Sequence, residues 1–316
     1  IQPLIGLKAE SLRDRRLCDA DPARIASLTI RDGEKKLVLE RRSEEAWAIT
    51  EPFRSRADAR SVGSLLKGVC ALRGDELTGG DVTNVAERLA QEATVRLTMT
   101  ESAPVRSEPL TNAVPPGGTA APRQWSYAVG TNIVSGARLI LRQEDQGVFR
   151  VPLADLVRML DGGVAREAGN FADPLRYMDR RVFELEVDNI RRLTLAKGGR
   201  EETVVRDASG NWSVDSPPGA RVSETVVTAL LGMAGDLTAA RIESAASTNV
   251  AKYGFSEISP RLTFGLTGTG GIQKTLLLGG IDGRQGVYAM VQGQDVVFVL
   301  PGTVADALKR SLVLSP

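Results

Sequence analysis

Ile25-Ala26-Ser27-Leu28-Thr29-Ile30-Arg31-Asp32-Gly33-Glu34-Lys35-Lys36-Leu37-Val38-Leu39, followed by Trp47-Ala48-Ile49-Thr50-Glu51-Pro52, is the stretch that decides the fold. Leu28 and Ile30 fall on one face of a strand, and Leu37 and Leu39 on one face of the next. Asp32-Gly33 between them reads as a hairpin turn. A third strand, 46–50, carries Trp47, and Pro52 ends it because proline has no N–H to give to a ladder.

The period then changes. Val62, Leu65, Leu66, Val69 and Leu72 recur at helical spacing, one apolar stripe of an amphipathic helix. Asp58 stands where an N-cap is needed, since its carboxylate can accept from an early helix N–H. Shifted by 165 residues, positions 14–72 fall on 179–237 without a gap, and 15 of the 59 pairs are identical. They include Asp14/Asp179, Arg15/Arg180, Arg16/Arg181, Gly33/Gly198, Trp47/Trp212 and Pro52/Pro217. Ungapped similarity of this kind points to a duplicated unit. The second copy supplies Ser223 as the cap and Val226, Val227, Leu230, Leu231 and Ala234 as the stripe.

Weaker echoes follow. Val95, Leu97 and Met99 alternate, as do Leu262, Phe264 and Leu266; Val148-Phe149-Arg150-Val151 matches Val297-Phe298-Val299-Leu300. Short helices, 154–160 and 304–308, close the copies. The expected fold class is therefore α+β: two tandem repeats, each an antiparallel meander sheet with packed helices, β-β-β-α and then further strands and a short helix. The expected division is an N-terminal segment 1–13, a first unit 14–170 and a second unit 171–316. Residues 101–123 hold five prolines and Gly117-Gly118 and read as a mobile insertion in the first unit.

Composition narrows the chemistry. The net charge of +1 gives no global attraction to nucleic acid or an anionic surface. Arg176, Arg180, Arg181, Arg191 and Arg192 interleave with acids and read as a solvated, salt-bridged strip. The chain has no histidine, which excludes Ser-His-Asp and Cys-His catalysis and histidine metal ligands. Two cysteines, Cys18 and Cys70, do not make a zinc site of the usual kind by themselves. Cys70 lies on the apolar side of the predicted helix and reads as a buried thiol. Whether it bonds to Cys18 depends on compartment and geometry. No run approaches the length of a membrane span.

Other motifs carry less. Ser64-Leu65-Leu66-Lys67 fits the S-x-x-K pattern of serine β-lactamases, but Ser-Asp-Asn and Lys-Thr-Gly companions are missing. Gly279-Gly280-Ile281-Asp282-Gly283-Arg284-Gln285-Gly286 lacks the lysine of a phosphate loop and precedes an alternating strand, so it reads as a hairpin turn. Glu44-Glu45 and Glu144-Asp145 sit in predicted turns. Trp47, Trp125 and Trp212 read as sheet core rather than sugar platforms.

Several of these segments resemble the bacterial domain-of-unknown-function family 4340. The carriers are Trp47-Ala48-Ile49-Thr50-Glu51-Pro52, Arg56-Ala57-Asp58 before Leu65-Leu66, Lys252-Tyr253-Gly254-Phe255, Leu277-Leu278-Gly279, Gly286-Val287-Tyr288-Ala289 before Val297-Phe298-Val299, and Asp-Arg-Arg opening each unit. The resemblance covers nearly the whole chain. It departs where Glu87-Arg88-Leu89 replaces a Tyr-Gly-Leu-like segment. It implies an N-terminal membrane anchor, here removed, an extracytoplasmic position at the bacterial inner membrane, and genes often beside gliding-motility-type ABC transporter components. It carries over no catalytic residues.

The expected function is thus a non-catalytic, membrane-tethered accessory module that binds a transporter or membrane-complex subunit. No cofactor, metal or nucleic acid is expected. A polysaccharide- or peptidoglycan-binding module using exposed tryptophans or a groove between the copies is the alternative, and a carboxylate or Ser-Lys hydrolase is a more distant one. The structural or interaction candidates are Asp14, Arg15, Arg16, Trp47, Asp179, Arg180, Arg181 and Trp212, with the Asp-Arg-Arg motifs setting domain orientation through charged hydrogen bonds.

Overall fold

The computed structural model describes residues 15–78, 81–102, 122–161, 171–266 and 272–314. The chain divides into two compact units, 1–179 and 180–316. Residues 171–179 hydrogen-bond to the first unit: Phe171 N–H donates to the Asp32 carboxylate at 2.9 Å, Asp58 N–H to Tyr177 O at 2.7 Å, and Asp179 N–H to Arg56 O at 3.0 Å. The contact boundary therefore follows Asp179, at the head of the second Asp-Arg-Arg.

The first unit runs β1 (Ile25–Asp32), β2 (Lys35–Arg41), β3 (Trp47–Glu51), β4 (Ser55–Ala57), α1 (Ala59–Ala71), β5 (Asp75–Glu76), α2 (Val82–Glu92), β6 (Val95–Glu101), β7 (Gln124–Val134), β8 (Ala137–Arg142), β9 (Gly147–Pro152) and α3 (Leu153–Asp161). All nine strands form one antiparallel sheet in the order β4-β3-β2-β1-β6-β7-β8-β9-β5. Leu28, Ile30, Leu37 and Leu39 are fully buried on one face. Each such side chain contributes about 1.5–3 kcal/mol by leaving water. The α1 stripe of Val62, Leu65, Leu66 and Val69 is buried as well. Asp58 caps that helix, accepting from Arg60 N–H at 2.9 Å and Ser61 N–H at 3.2 Å. Helix α2 lays Ala86 and Leu89 against Ala128, Leu139, Leu141 and Val148 of the sheet.

The second unit runs β10 (Arg181–Phe183), β11 (Ile190–Lys197), β12 (Arg200–Arg206), β13 (Trp212–Ser216), β14 (Arg221–Val222), α4 (Glu224–Gly235), β15 (Leu237–Thr238), β16 (Arg241–Ser244), β17 (Arg261–Leu266), β18 (Gln273–Ile281), β19 (Gly286–Val291), β20 (Val297–Pro301), α5 (Gly302–Leu308) and β21 (Val313–Leu314). Eight strands form a sheet in the order β13-β12-β11-β17-β18-β19-β20-β16. Two-strand ladders β10-β15 and β14-β21 stand apart from it. Gly198 and Gly199 both adopt left-handed backbone, φ +59° and +75°, as a two-residue hairpin of the twist-matching kind requires.

The expected α+β class with two tandem repeats is corrected by this architecture. Among the described residues strands make up 44% and helices 24%, so the protein is mostly β, built on large antiparallel sheets. The helical complement also differs between the units, since no α-helix among the described residues of the second takes the part of α2. The cause lies in how patterns show in sequence. An amphipathic helix leaves one long, regular stripe, whereas an antiparallel meander leaves short alternations broken by turns. The helices were conspicuous out of proportion to the chain they occupy; the eleven residues of β7 and nine of β18 were less so. The predicted insertion lies, at 103–121, outside the described residues, as do the segment 1–13 and Asp14.

Candidate functional site

Apart from Asp-Arg-Arg, the segments that carried the resemblance in the second unit meet around β18, β19 and β20. The turn at 251–253 ends on Gly254, whose φ of +76° is left-handed and suits a residue without Cβ. A Cβ there would stand 2.7 Å from Gly280 N, and one on Gly279 would stand 2.5 Å from Tyr253 O. The two glycines let the 250s turn press onto β18 with backbone against backbone. Around that contact Tyr253 and Tyr288 pack with centroids 5.0 Å apart, and Tyr253 and Phe255 meet edge to face at 6.5 Å. Leu277, Met290 and Val297 fill the space beneath. Lys252 Nζ lies 4.6 Å above the Tyr253 ring, a cation–π contact.

The adjoining hairpin turn is held by an acid. Asp282 has a side chain only 2% exposed and pairs with Arg241 at 2.7 Å. The same carboxylate accepts from Arg284 N–H at 3.0 Å and Gly286 N–H at 2.5 Å. Burial alone would raise its pKa; the hydrogen bonds from Arg241 and the two backbone groups outweigh that and hold it below the ordinary carboxylate value. Gly279–Gly286 is a hairpin turn, as its sequence indicates. The Asp282–Arg241 pair, buried only on the Asp282 side, was missed, because its members are 41 positions apart and nothing local marks them.

Two side chains on these tightly held segments face water instead. Ile258 is 82% exposed and Ile281 78% exposed.

A second polar cluster lies in the first unit. Asp19 accepts from Trp125 Nε1 at 2.9 Å and from Arg123 at 2.7 Å. Burial would raise its pKa, but these donors leave it lowered. Tyr127 donates to Leu17 O at 3.1 Å. Cys18 and Cys70 place their sulfurs 3.8 Å apart. Cys18 is the buried thiol and Cys70 only half-buried, the reverse of the emphasis drawn from the helix pattern; Cys18 lies in the strap 15–20, which is paired with the residues just after α1.

The sequence candidates disperse over the molecule. Arg15 pairs with Asp75 at the surface, and Arg16 bridges to Arg73 through its backbone. Asp179 pairs with Arg56 at 3.4 Å. Arg180 donates to Ala240 O at 3.0 Å, and Arg181 to Glu184 at 2.9 Å. Trp47 is buried at 5% exposure and Trp125 at 3%, whereas Trp212 is half-buried. Ser64 and Lys67 are both exposed on α1. A cleft of about 290 Å³ between α1 and α3 is lined by Gly68, Ala71, Arg73, Asp155, Arg158 and Met159. Among the described residues no group of three or more His, Cys, Asp or Glu side chains is placed to hold a metal ion.

Set against known families, the second unit has a counterpart. Residues 212–313 match the Domain of unknown function (DUF4340). The expected family is thus found over this part of the chain, and the DUF4340 segment contains the glycine contact, the aromatic cluster and the Asp282 turn. A search of curated proteins and a search of solved structures each found no match. Among the described residues no helix is long and apolar enough to cross a membrane.

Proposed function

We propose that this chain is an accessory module that works through surface contacts, on the extracytoplasmic side of a bacterial inner membrane and beside an ABC-type transport system. The observation that carries the reading is the pair Ile258 and Ile281. Ile258 stands in the turn that Ser259 closes and Ile281 at the end of β18, and large apolar side chains left in water in this way are suited to burial against a protein partner. The family motifs in the same region are occupied with packing: Tyr253, Gly254, Gly279, Tyr288 and Val297 build the platform and leave the isoleucines to project. Burial of Trp47 and Trp125 lends the polysaccharide reading less support, since a stacking platform needs an open ring face, and leaves it only the half-buried Trp212.

The test is affinity capture of the full-length protein from its native membrane, followed by reconstitution with the captured subunit. Ile258→Asp with Ile281→Asp should lower binding by about tenfold or more, as loss of an interface anchor does, with circular dichroism unchanged. Arg180→Ala with Arg181→Ala should weaken capture less. Undiminished binding by the isoleucine variant would remove this surface from the reading, and turnover of a substrate lost on changing one polar residue would replace it with an enzyme.

A further inference from the structure

We propose that Cys18 and Cys70 form a reversible dithiol–disulfide site, oxidised by disulfides of the glutathione or protein class, that fastens the strap 15–20 to the last turn of α1. The two sulfurs already sit 3.8 Å apart, and bonding asks them to close to about 2.05 Å. The rest of the strap is held in register for that approach. Leu17 N–H donates to Leu72 O at 3.1 Å and Gly74 N–H to Arg15 O at 2.9 Å, so the strap pairs with the residues just after the helix. Tyr127 donates to Leu17 O, and Arg142 donates to the same carbonyl at 3.3 Å. Asp19, the next residue, is pinned by Trp125 and Arg123. Cys18 is thereby fixed from both sides.

The chemistry of the two thiols is divided. Cys18 accepts from Ala20 N–H at 3.3 Å. Its hydrogen bond with Cys70 lowers its pKa to about 7 against the opposing effect of burial, so the pair carries a shared proton and a partial negative charge near neutral pH. Cys70 is raised by the same interaction, but it is the half-buried member and the one an incoming disulfide can reach. Cys70 passes its proton across the shared hydrogen bond to Cys18, and its thiolate attacks one sulfur of the external disulfide. The external S–S bond breaks and one external thiolate leaves. Cys18 then yields its proton to the leaving thiolate and attacks the Cys70 sulfur of the mixed disulfide, expelling the second external sulfur as a thiolate, which takes a proton from water. Two protein thiols lose two electrons and one external disulfide becomes two thiols.

The closed bond would span a loop of 52 residues. Constraint of that loop in the unfolded chain predicts a rise in the first unit's melting temperature of about 10 °C. The experiment equilibrates the full chain in glutathione buffers of graded redox poise and counts free thiols with a maleimide mass tag. Expected are an intramolecular bond in oxidising buffer, two free thiols after dithiothreitol, and the Tm rise in the oxidised form. Because the chain has only these two cysteines, any such bond is Cys18–Cys70. Linkage requires the bond to form about tenfold or more favourably in the folded chain than in urea. Cys18→Ser should leave Cys70 as a stable glutathione adduct. Two free thiols persisting in oxidising buffer, intermolecular dimers instead of the internal bond, or a bond no more favourable in the folded chain than in urea would each overturn the proposal.

Discussion

Trp47 and Trp212 occupy the same point of the same local pattern, opening a third strand after a hairpin, yet one is buried and the other half-exposed. The difference is one strand deep. In the first unit β4 pairs with β3, setting Ala57 opposite Trp47 and Arg56 opposite Ala48, and Arg41 lies over the indole at 4.6 Å. In the second unit β14 pairs with β21 instead, so β13 is the edge of its sheet. A strand covered on both sides buries its side chains; an edge strand leaves part of each to water. Equivalent sequence therefore sets equivalent local conformation, while burial follows from whichever neighbour arrives next.

The sharpest test of that contrast is the pair of truncations. Trp47→Ala should cost roughly 3–5 kcal/mol in denaturant melts followed by circular dichroism, as loss of a large core side chain does. Trp212→Ala should cost about 1–2 kcal/mol, the usual range for a partly exposed site. Equal costs would break the edge-strand account.

A glycine pair probes the second unit's own device. Gly279→Ala forces a Cβ to within 2.5 Å of Tyr253 O and should cost about 2–4 kcal/mol. Gly232→Ala, on α4 with nothing within 4 Å of the new methyl, should stabilise by about 0.5–1 kcal/mol. If both variants melt alike, backbone contact at Gly279 is not what holds the 250s turn.

The helix starts differ as well. Asp58 makes two cap hydrogen bonds, whereas Ser223 makes none with its side chain. Asp58→Ala should cost about 1 kcal/mol and Ser223→Ala less than about 0.5 kcal/mol; a reversal in thermal melts would mean that Ser223 caps its helix in solution.

Acid should act on both units in the same direction. Asp19 and Asp282 have pKa values lowered by their donors. A depressed folded-state value adds stability above the unfolded carboxylate pKa of about 3.9. That contribution is lost as pH falls from there through the folded value. Melting temperature should thus decline below about pH 4, and Asp282→Asn should flatten the second unit's share of the decline. An unchanged profile would sever the Asp282–Arg241 pair from stability. The smallest effect is expected at Arg181→Ala, whose partner Glu184 is 58% exposed; an exposed pair contributes about 0.5 kcal/mol or less, and a larger loss by the same melts would show that Arg181 does more than meet Glu184.

Much of the local structure was legible. The hairpin at Gly33, the strand carrying Trp47, the cap at Asp58 and the stripe Val62–Leu65–Leu66–Val69 follow from period and from the stereochemistry of single residues, which act over four or five positions. The candidate site was legible only as motifs. Tyr253-Gly254, Gly279 and Tyr288 were each visible, but their meeting was not, nor was the Asp282–Arg241 pair or the approach of Cys18 to Cys70, because these contacts join residues tens of positions apart.

The sequence by itself determined where strands turn, where helices begin and which chemistry a chain without histidine forgoes, since these depend on backbone preference, spacing and composition. Only the tertiary structure decided that the sheets dominate, that Trp212 lies at an edge, that Ile258 and Ile281 are left in water, and that two thiols stand within reach of one another. Those outcomes rest on long-range pairing of strands, and the physical forces that select it, burial and hydrogen-bond closure, act between segments that no local pattern links.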